Sequence, residues 1–184
     1  MRFILGTLLG GIAIFVGGYV THMLLPLADY ELKSLPNEYA SIGTLKTIAP
    51  SPGVYIYPGM EGVNQRDQKA MNAYNDRIRD LPHGLVVMSA SPGIITPAKL
   101  GIQFLGDLLA SASAALLLTL LPFRGYFRRL VAVILMGLFA GFLVDFPLWN
   151  WYGYTAVYAA GDTIDHALRA FAGGLLLAAV IKSR

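Results

Sequence analysis

The sequence of 184 residues contains no cysteine, and charged residues make up only 14% of it. Without cysteine the chain cannot form a disulfide scaffold. A soluble globular domain usually carries about 25% charged residues, so the low charge argues against an ordinary soluble fold. The composition also excludes a disordered chain and a collagen-like chain.

What the sequence has instead is hydrophobic residues, 55% of the total, gathered into blocks about as long as a bilayer is thick. The first block has no A-x-A-like cleavage site before Asp29, so we interpret it as an uncleaved anchor and not as a signal peptide. The sequence therefore predicts an integral membrane protein that is mainly α, with a four-helix transmembrane bundle. The predicted spans are residues 1–27, 97–121, 130–148 and 155–181.

The basic residues near the ends of these blocks indicate their orientation. The positive-inside rule places both termini, the turn at 122–129 and the tail at 182–184 in the cytoplasm. Since these residues explain the net charge of +3, we expect no nucleic-acid partner. The predicted location is the bacterial inner membrane, with several passes through it. The residues that carry this argument are Arg2, Arg124, Arg128, Arg129, Lys182 and Arg184.

Aromatic residues gather near the opposite ends of the predicted spans, as is typical of a membrane interface. Three of them, Trp149, Trp151 and Tyr152, lie in a short outer hairpin at 149–154. We interpret this hairpin as an anchor between the third and fourth spans.

The segment 28–96, between the first two spans, is polar and rich in proline and glycine. Its order of elements predicts a small α+β cap on the extracytoplasmic face. So small a unit without disulfides buries too little surface to stand alone, and we expect it to rest on the bundle. The predicted elements are a helix over 37–50 capped by Asn37, a strand at 53–57, a helix over 62–81 and a strand at 85–88.

Ionisable residues inside the predicted spans are the most informative feature. Such groups are costly in hydrocarbon and usually face a bundle interior or a cavity. The four on the last span follow i, i+3, i+4, i+7 spacing and therefore share one helix face. All four spans are predicted to contribute to one polar layer in the outer third of the membrane. Its members are His22, Asp107 and Asp145 on the first three spans and Asp162, Asp165, His166 and Arg169 on the fourth.

One interpretation makes this layer structural. Asp145, Asp165 and Arg169 would form ion pairs that fix the register of the helices. The protein would then be a non-enzymatic accessory or interaction protein of a membrane assembly, with a membrane-protein partner or a second copy of itself beside it in the bilayer.

The other interpretation makes the layer a binding site. His22, Asp107, Asp162 and His166 supply two imidazoles and two carboxylates, a plausible set for zinc, manganese or iron. The same groups could handle a proton or a small ligand. An enzyme ranks third: a buried histidine among carboxylates could act as a general base, but the sequence indicates no substrate pocket. The sequence leaves the cofactor unknown, with a divalent metal as the candidate.

Glycines inside the spans predict close helix packing. Gly6 with Gly10 and Gly137 with Gly141 each form a G-x-x-x-G pair, which lets two helix backbones approach. The motif is compatible both with a tight bundle and with a homodimer.

Three stretches, Thr21–Leu27, Trp149–Gly153 and Asp165-His166, resemble a family of small four-span bacterial inner-membrane proteins that has no established function. The resemblance covers most of the chain, including the outer segment. It implies four spans and implies no activity. The chain does not resemble the disulfide-forming four-helix membrane oxidoreductases, because every cysteine that their chemistry needs is missing.

Overall fold

A computed structural model describes residues 1–25, 27, 31–89 and 95–182. The chain is mainly helical and divides into two compact units. The first unit contains Met1–Lys33, Gly93–Trp149 and Thr155–Arg184, and the second contains Ser34–Pro92 and Asn150–Tyr154. Residues 150–154, predicted from the sequence to connect two spans, thus belong to the unit of the outer segment.

The described residues form six α-helices and a two-stranded sheet. In chain order they are α1 (Arg2–Tyr19), α2 (Glu38–Ile48), β1 (Gly53–Tyr57), α3 (Gln68–Ile78), β2 (Gly84–Met88), α4 (Pro97–Leu120), α5 (Tyr126–Tyr152) and α6 (Ala156–Val180). A π-helical turn, Val20–Leu24, extends α1.

Four of these helices are long and apolar enough to cross a membrane: α1 with its π-helical turn, α4, α5 and α6. Their apolar side chains point mostly outward, since only 22% to 33% of the most apolar stretch of each helix is buried. Large outward residues include Ile102, Phe139 and Leu143. A water-soluble helix buries its apolar face, so this distribution is that of helices whose surroundings are themselves apolar.

The helix α5 differs most from its prediction. It runs from Tyr126 to Tyr152, beyond both ends of the predicted span 130–148, and includes Pro147. The glycines just outside it, Gly125 and Gly153, have φ angles of +87° and +80°. Glycine adopts this left-handed conformation without steric cost, so these two residues end the helix where the sequence pattern does not.

Small residues bring the helices of the first unit together. A Cβ atom placed on Gly10 would lie 2.8 Å from Cγ of Leu177, and one on Gly141 would lie 2.9 Å from Cα of Thr163. Both glycines therefore face α6. Gly10 brings α1 against one side of this helix, and Gly141 brings α5 against the other. The two G-x-x-x-G pairs thus serve packing inside the chain, as one of the two alternatives from the sequence expects.

The second unit contains a ribbon of β1 and β2 and two short helices. The strands are antiparallel, with Gly53 opposite Met88 and Tyr57 opposite Gly84. Strand β1 has the predicted bounds. The helix α3 is shorter than the predicted 62–81, because Asp67 caps it by accepting hydrogen bonds from the amides of residues 69 and 70.

The helix α2 lies within the predicted segment 37–50. Asn37 stands at its N-cap position, but its φ is +49° and its side chain makes no capping hydrogen bond. The predicted position of the N-cap is therefore confirmed, but the predicted capping by the Asn37 side chain is wrong. Asparagine tolerates the left-handed conformation, which explains its presence at this turn.

Candidate functional site

The polar residues of the spans gather around α6, where they form two groups. Asp162 and His166 lie about 60° around the helix from Asp165 and Arg169, because the two i, i+4 pairs are offset by three residues. Asp165 and Arg169 face α1 and α4, whereas Asp162 and His166 face α5. We call His22, Gln103, Asp107, Asp165 and Arg169 the arginine cluster, and Asp145, Asp162, Thr163 and His166 the carboxylate cluster.

The guanidinium of Arg169 holds the arginine cluster together. Its Nη2 donates to Oδ1 of Asp107 at 2.5 Å, and its Nη1 lies 3.6 Å from Oδ2 of Asp165. The same Asp107 oxygen accepts a hydrogen bond of 3.0 Å from Gln103. His22 completes the cluster, with Nε2 3.5 Å from Oδ2 of Asp165. One cation thus joins carboxylates of α4 and α6, and the imidazole of His22 reaches Asp165 from the π-helical turn at the end of α1.

Glycines on α1 make room for this arrangement. A Cβ atom on Gly18 would lie 3.2 Å from Nε of Arg169, and one on Gly17 would lie 3.3 Å from Cβ of Ala172. The arginine side chain therefore lies flat against the α1 backbone. Its side chain is only 17% exposed as a result.

Asp145 is the centre of the carboxylate cluster. Its side chain is 0% exposed, and its Oδ2 accepts a hydrogen bond of 2.9 Å from Oγ1 of Thr163. Oδ1 lies 3.8 Å from Nε2 of His166, and no donor among the described residues forms a hydrogen bond with it. One ligand atom each of Asp145, Asp162 and His166 lies within 4.8 Å of the others.

The glycine stripe of α5 explains this position of Asp145. Gly137, Gly141 and Asp145 are spaced by four residues and share one face of the helix. A Cβ on Gly137 would lie 2.6 Å from the backbone oxygen of His166. The close approach of the two backbones over the glycines brings the next residue of the stripe, Asp145, directly against Thr163.

The two clusters differ in their balance of charge. Asp107 and Asp165 each have one oxygen that accepts no hydrogen bond from a described residue, but each carboxylate faces Arg169 through its other oxygen. The other oxygen of Asp145 accepts, within the described part of the chain, only from the neutral hydroxyl of Thr163. Among the described residues, no lysine or arginine forms a salt bridge with the carboxylate cluster. Buried carboxylates are costly unless they are paired, so this cluster needs a cation or protons from outside the chain.

The predicted ligand set of His22, Asp107, Asp162 and His166 is divided by this arrangement. His22 and Asp107 belong to the arginine cluster, where the short pair with Arg169 occupies Asp107. Asp162 and His166 meet Asp145 instead, a residue that the sequence analysis assigns to ion pairs. The ion pair between Asp165 and Arg169 has the expected partners. The signal that could have assigned Asp145 is its place in the glycine stripe of α5.

Protein-family models, curated proteins and solved structures all give no match to this chain.

Proposed function

We propose that this chain is a multi-pass membrane protein that binds one divalent transition-metal ion between α5 and α6, with Asp145, Asp162 and His166 as ligands. The four long apolar helices with outward-facing apolar side chains support the membrane assignment. The resemblance to small four-span inner-membrane proteins of bacteria agrees with it and suggests that membrane as the location.

The topology that we propose follows the basic residues. Arg2, Arg128 and Lys182 lie at the ends of the apolar helices that face the cytoplasm, so both termini are cytoplasmic. The segment 28–96 is then extracytoplasmic and forms a cap between the first two spans of a four-helix bundle. The carboxylate cluster lies toward this outer end, because Asp145 is near the C-terminal end of α5.

The observation that carries the metal proposal is the meeting of two carboxylates and an imidazole at a buried oxygen of Asp145, with no salt bridge from any lysine or arginine among the described residues. An unpaired carboxylate oxygen on a side chain with no exposure is a strongly unfavourable group, and a bound cation would stabilise it. The neighbouring imidazole and second carboxylate are donors of the right kind. One nitrogen and at least two oxygens suit Zn²⁺, Mn²⁺ or Fe²⁺ better than Ca²⁺ or Mg²⁺, which prefer oxygen alone.

The size of the cluster is compatible with such an ion after small side-chain rotations. Ligand atoms of a tetrahedral zinc site lie about 3.3 Å apart, given bonds of about 2.0 Å. Here Oδ1 of Asp145 and Nε2 of His166 are 3.8 Å apart. Three protein ligands leave a fourth position for water or for a further ligand.

The test is a metal titration of the purified protein in detergent after treatment with a chelator. Calorimetry with Zn²⁺, Mn²⁺, Ca²⁺ and Mg²⁺ should give one ion per chain for the first two and much weaker binding for the others. Asp145→Asn and His166→Gln should each lower the affinity for Zn²⁺ by about 10–100-fold or more.

Matched control variants distinguish this site from adventitious binding at the surface. His83→Gln removes the histidine of the outer segment, and Asp80→Asn removes an exposed carboxylate near it; both should leave the affinity unchanged. Equal affinity in Asp145→Asn and in the wild type would overturn the proposal. So would the absence of stoichiometric binding of any of the four ions.

A second function has support of its own from the arginine cluster. Its charged groups pair with one another inside the chain, as expected of a structural layer in an accessory or interaction protein. We propose a membrane-protein partner or a homo-oligomer for this function. Native mass spectrometry of the gently extracted protein tests it: foreign subunits at fixed stoichiometry or a defined oligomer support it, and a lone monomer contradicts it.

A further inference from the structure

A groove of about 580 Å³ lies between the C-terminal end of α4 and the first half of α5. On α5 its lining residues form two adjacent rows, each with a spacing of four residues, between Phe127 and Phe139. Leu117 of α4 and Phe123 of the connection between the two helices complete the wall. The stretch from Phe127 to Phe139 is about 18 Å long, close to the half-thickness of about 15 Å of the hydrocarbon core of a bilayer. The groove therefore has the length of one leaflet.

The groove has a positive charge at one end. Of the described residues that line it, Arg128 alone is charged, and it lies in the first turn of α5. Its side chain is exposed and forms no hydrogen bond or salt bridge with another described residue. The neighbouring Arg129 is buried and donates to the backbone oxygens of Ala178 and Phe123. Of these two arginines, one therefore stabilises the fold and the other is available to a ligand.

The surroundings of Arg128 favour an anion as that ligand. No aspartate or glutamate occurs in residues 108–144, which include the groove, or in residues 166–184. Arg124, in the connection between α4 and α5, and Lys182, after the end of α6, are two further exposed cations. An anionic group at this end of the groove would thus meet cations and no carboxylate.

The same charge argues against a second copy of the chain as the occupant. Two copies that pack groove to groove in a membrane would be related by a two-fold axis along the membrane normal. Both Arg128 side chains would then lie at the same level and face each other, so their charges would repel. A lipid with an anionic headgroup has the opposite charge at the level where the groove needs it.

We propose that the groove binds one anionic phospholipid, with its phosphate on the guanidinium of Arg128 and one acyl chain along the apolar rows toward Phe139. A guanidinium donates charge-assisted hydrogen bonds to phosphate oxygens, and these are among the strong hydrogen bonds of proteins. In the topology proposed above, this lipid belongs to the cytoplasmic leaflet. The proposal rests on the membrane assignment and not on the metal site, so failure of the lipid test leaves the metal site standing.

The test is native mass spectrometry of the full-length protein in a nonionic detergent with an equimolar mixture of two lipids. The lipids are dioleoyl phosphatidylglycerol and dioleoyl phosphatidylcholine, which share their acyl chains and a phosphate group, but only the first has a net negative charge. The wild type should retain one phosphatidylglycerol per chain, with an affinity about fivefold higher than for phosphatidylcholine. This is the contribution that one basic residue makes to the binding of an anionic lipid.

Variants of Arg128 test the headgroup contact. Arg128→Gln should make the affinities for the two lipids equal, whereas Arg128→Lys keeps the charge and should keep the preference. Both variants should have the stability of the wild type in lipid-free detergent, because the side chain is exposed. The matched control Arg66→Gln removes an exposed arginine of the outer segment and should leave the fivefold preference unchanged.

A second pair of variants tests the position of the acyl chain. Val131→Trp places a large ring in the groove and should weaken the binding of both lipids without changing their ratio. Ile102→Trp, at an exposed position of α4 outside the groove, should change neither affinity. If Val131→Trp does not fold, the comparison of Arg128→Gln with Arg128→Lys decides.

Three results would overturn the proposal. Equal affinities of the wild type for the two lipids would mean that the groove does not select an anion. The same preference in Arg128→Gln as in Arg66→Gln would mean that the anionic lipid binds elsewhere on the protein. A dimer that retains no lipid and that Val131→Trp converts to a monomer would identify a second copy of the chain as the occupant.

Discussion

The arginine cluster and the carboxylate cluster each contain two aspartates, one of them on α6, yet these carboxylates are held in different ways. In the first, Arg169 compensates Asp107 and Asp165 within the chain. In the second, Asp145 and Asp162 have an imidazole and a hydroxyl beside them. A buried carboxylate is therefore structural where the fold supplies a cation beside it, and it is available for binding where the fold supplies none. A rotation of about 60° around α6 separates the two cases.

The largest effect should come from removing the cation of the arginine cluster. Arg169→Met leaves two buried carboxylates without their partner, and the free energy of unfolding should fall by about 3–5 kcal/mol. Thermal unfolding in detergent, followed by circular dichroism, measures it. The matched control Arg128→Met, at an exposed position, should stay within about 0.5 kcal/mol of the wild type. Equal stability of both variants would mean that the arginine cluster does not hold the helices together.

The next effect concerns the glycine stripe that builds the carboxylate cluster. Gly137→Ala places a Cβ 2.5 Å from Cβ of Ala170, so α5 and α6 must separate, and stability should fall by about 1–3 kcal/mol. Affinity for Zn²⁺ should fall as well, because Asp145 moves away from His166. Gly106→Ala is the control, since a Cβ there meets no atom within 4 Å. Thermal unfolding and calorimetry of both variants check the prediction, which fails if they behave alike.

A smaller effect on stability is expected when one carboxylate of each cluster is replaced by an amide, and its sign should be opposite in the two clusters. Asp145→Asn removes an uncompensated buried charge, so the metal-free protein should become more stable by about 1 kcal/mol. Asp165→Asn removes one of the two carboxylates that face Arg169 and should make the protein less stable by a similar amount, about 1 kcal/mol. Unfolding in the presence of a chelator measures both. The same sign in both variants would show that the clusters do not differ as we describe.

The smallest effect is expected at an ion pair outside the spans. Asp76 and Arg79 of the outer segment are 2.5 Å apart, the same distance as Asp107 and Arg169, but their side chains are 68% and 72% exposed. Water already solvates both groups, so Asp76→Ala should change the stability by only about 0.5 kcal/mol or less. A loss as large as that of Arg169→Met would show that distance, and not burial, decides the strength of these pairs.

Much of this architecture could be predicted from local patterns. The apolar blocks gave the long helices, and β1 was predicted with its full length because its β-branched and aromatic residues are bounded by Pro52 and Pro58. The residues of the polar layer were also predicted, because ionisable groups stand out in apolar sequence. These features depend on neighbours in sequence alone.

The division of the layer into two clusters could not be predicted, because it depends on the rotation of each helix about its axis. The contact of Gly141 with Thr163 sets that rotation for α5 and decides that Asp145 meets His166. The hydrogen bond that Arg169 donates to Asp107 depends in the same way on how α4 packs against α1. The ends of α5 at Gly125 and Gly153 were missed because their positive φ angles override the apolar pattern.

The π-helical turn at the end of α1 has a consequence for how this chain can vary in length. Its wider hydrogen bonding, with the amide of Leu25 bonded to the carbonyl of Val20, accommodates one residue more than an α-helix over the same rise. Deleting Met23 or Leu24, which follow His22, would restore a plain α-helix and keep His22 and the residues before it in place. A deletion before Gly17 would rotate the glycine face away from α6. Insertions and deletions among relatives of this chain should therefore collect at the π-helical turn and spare the rest of α1.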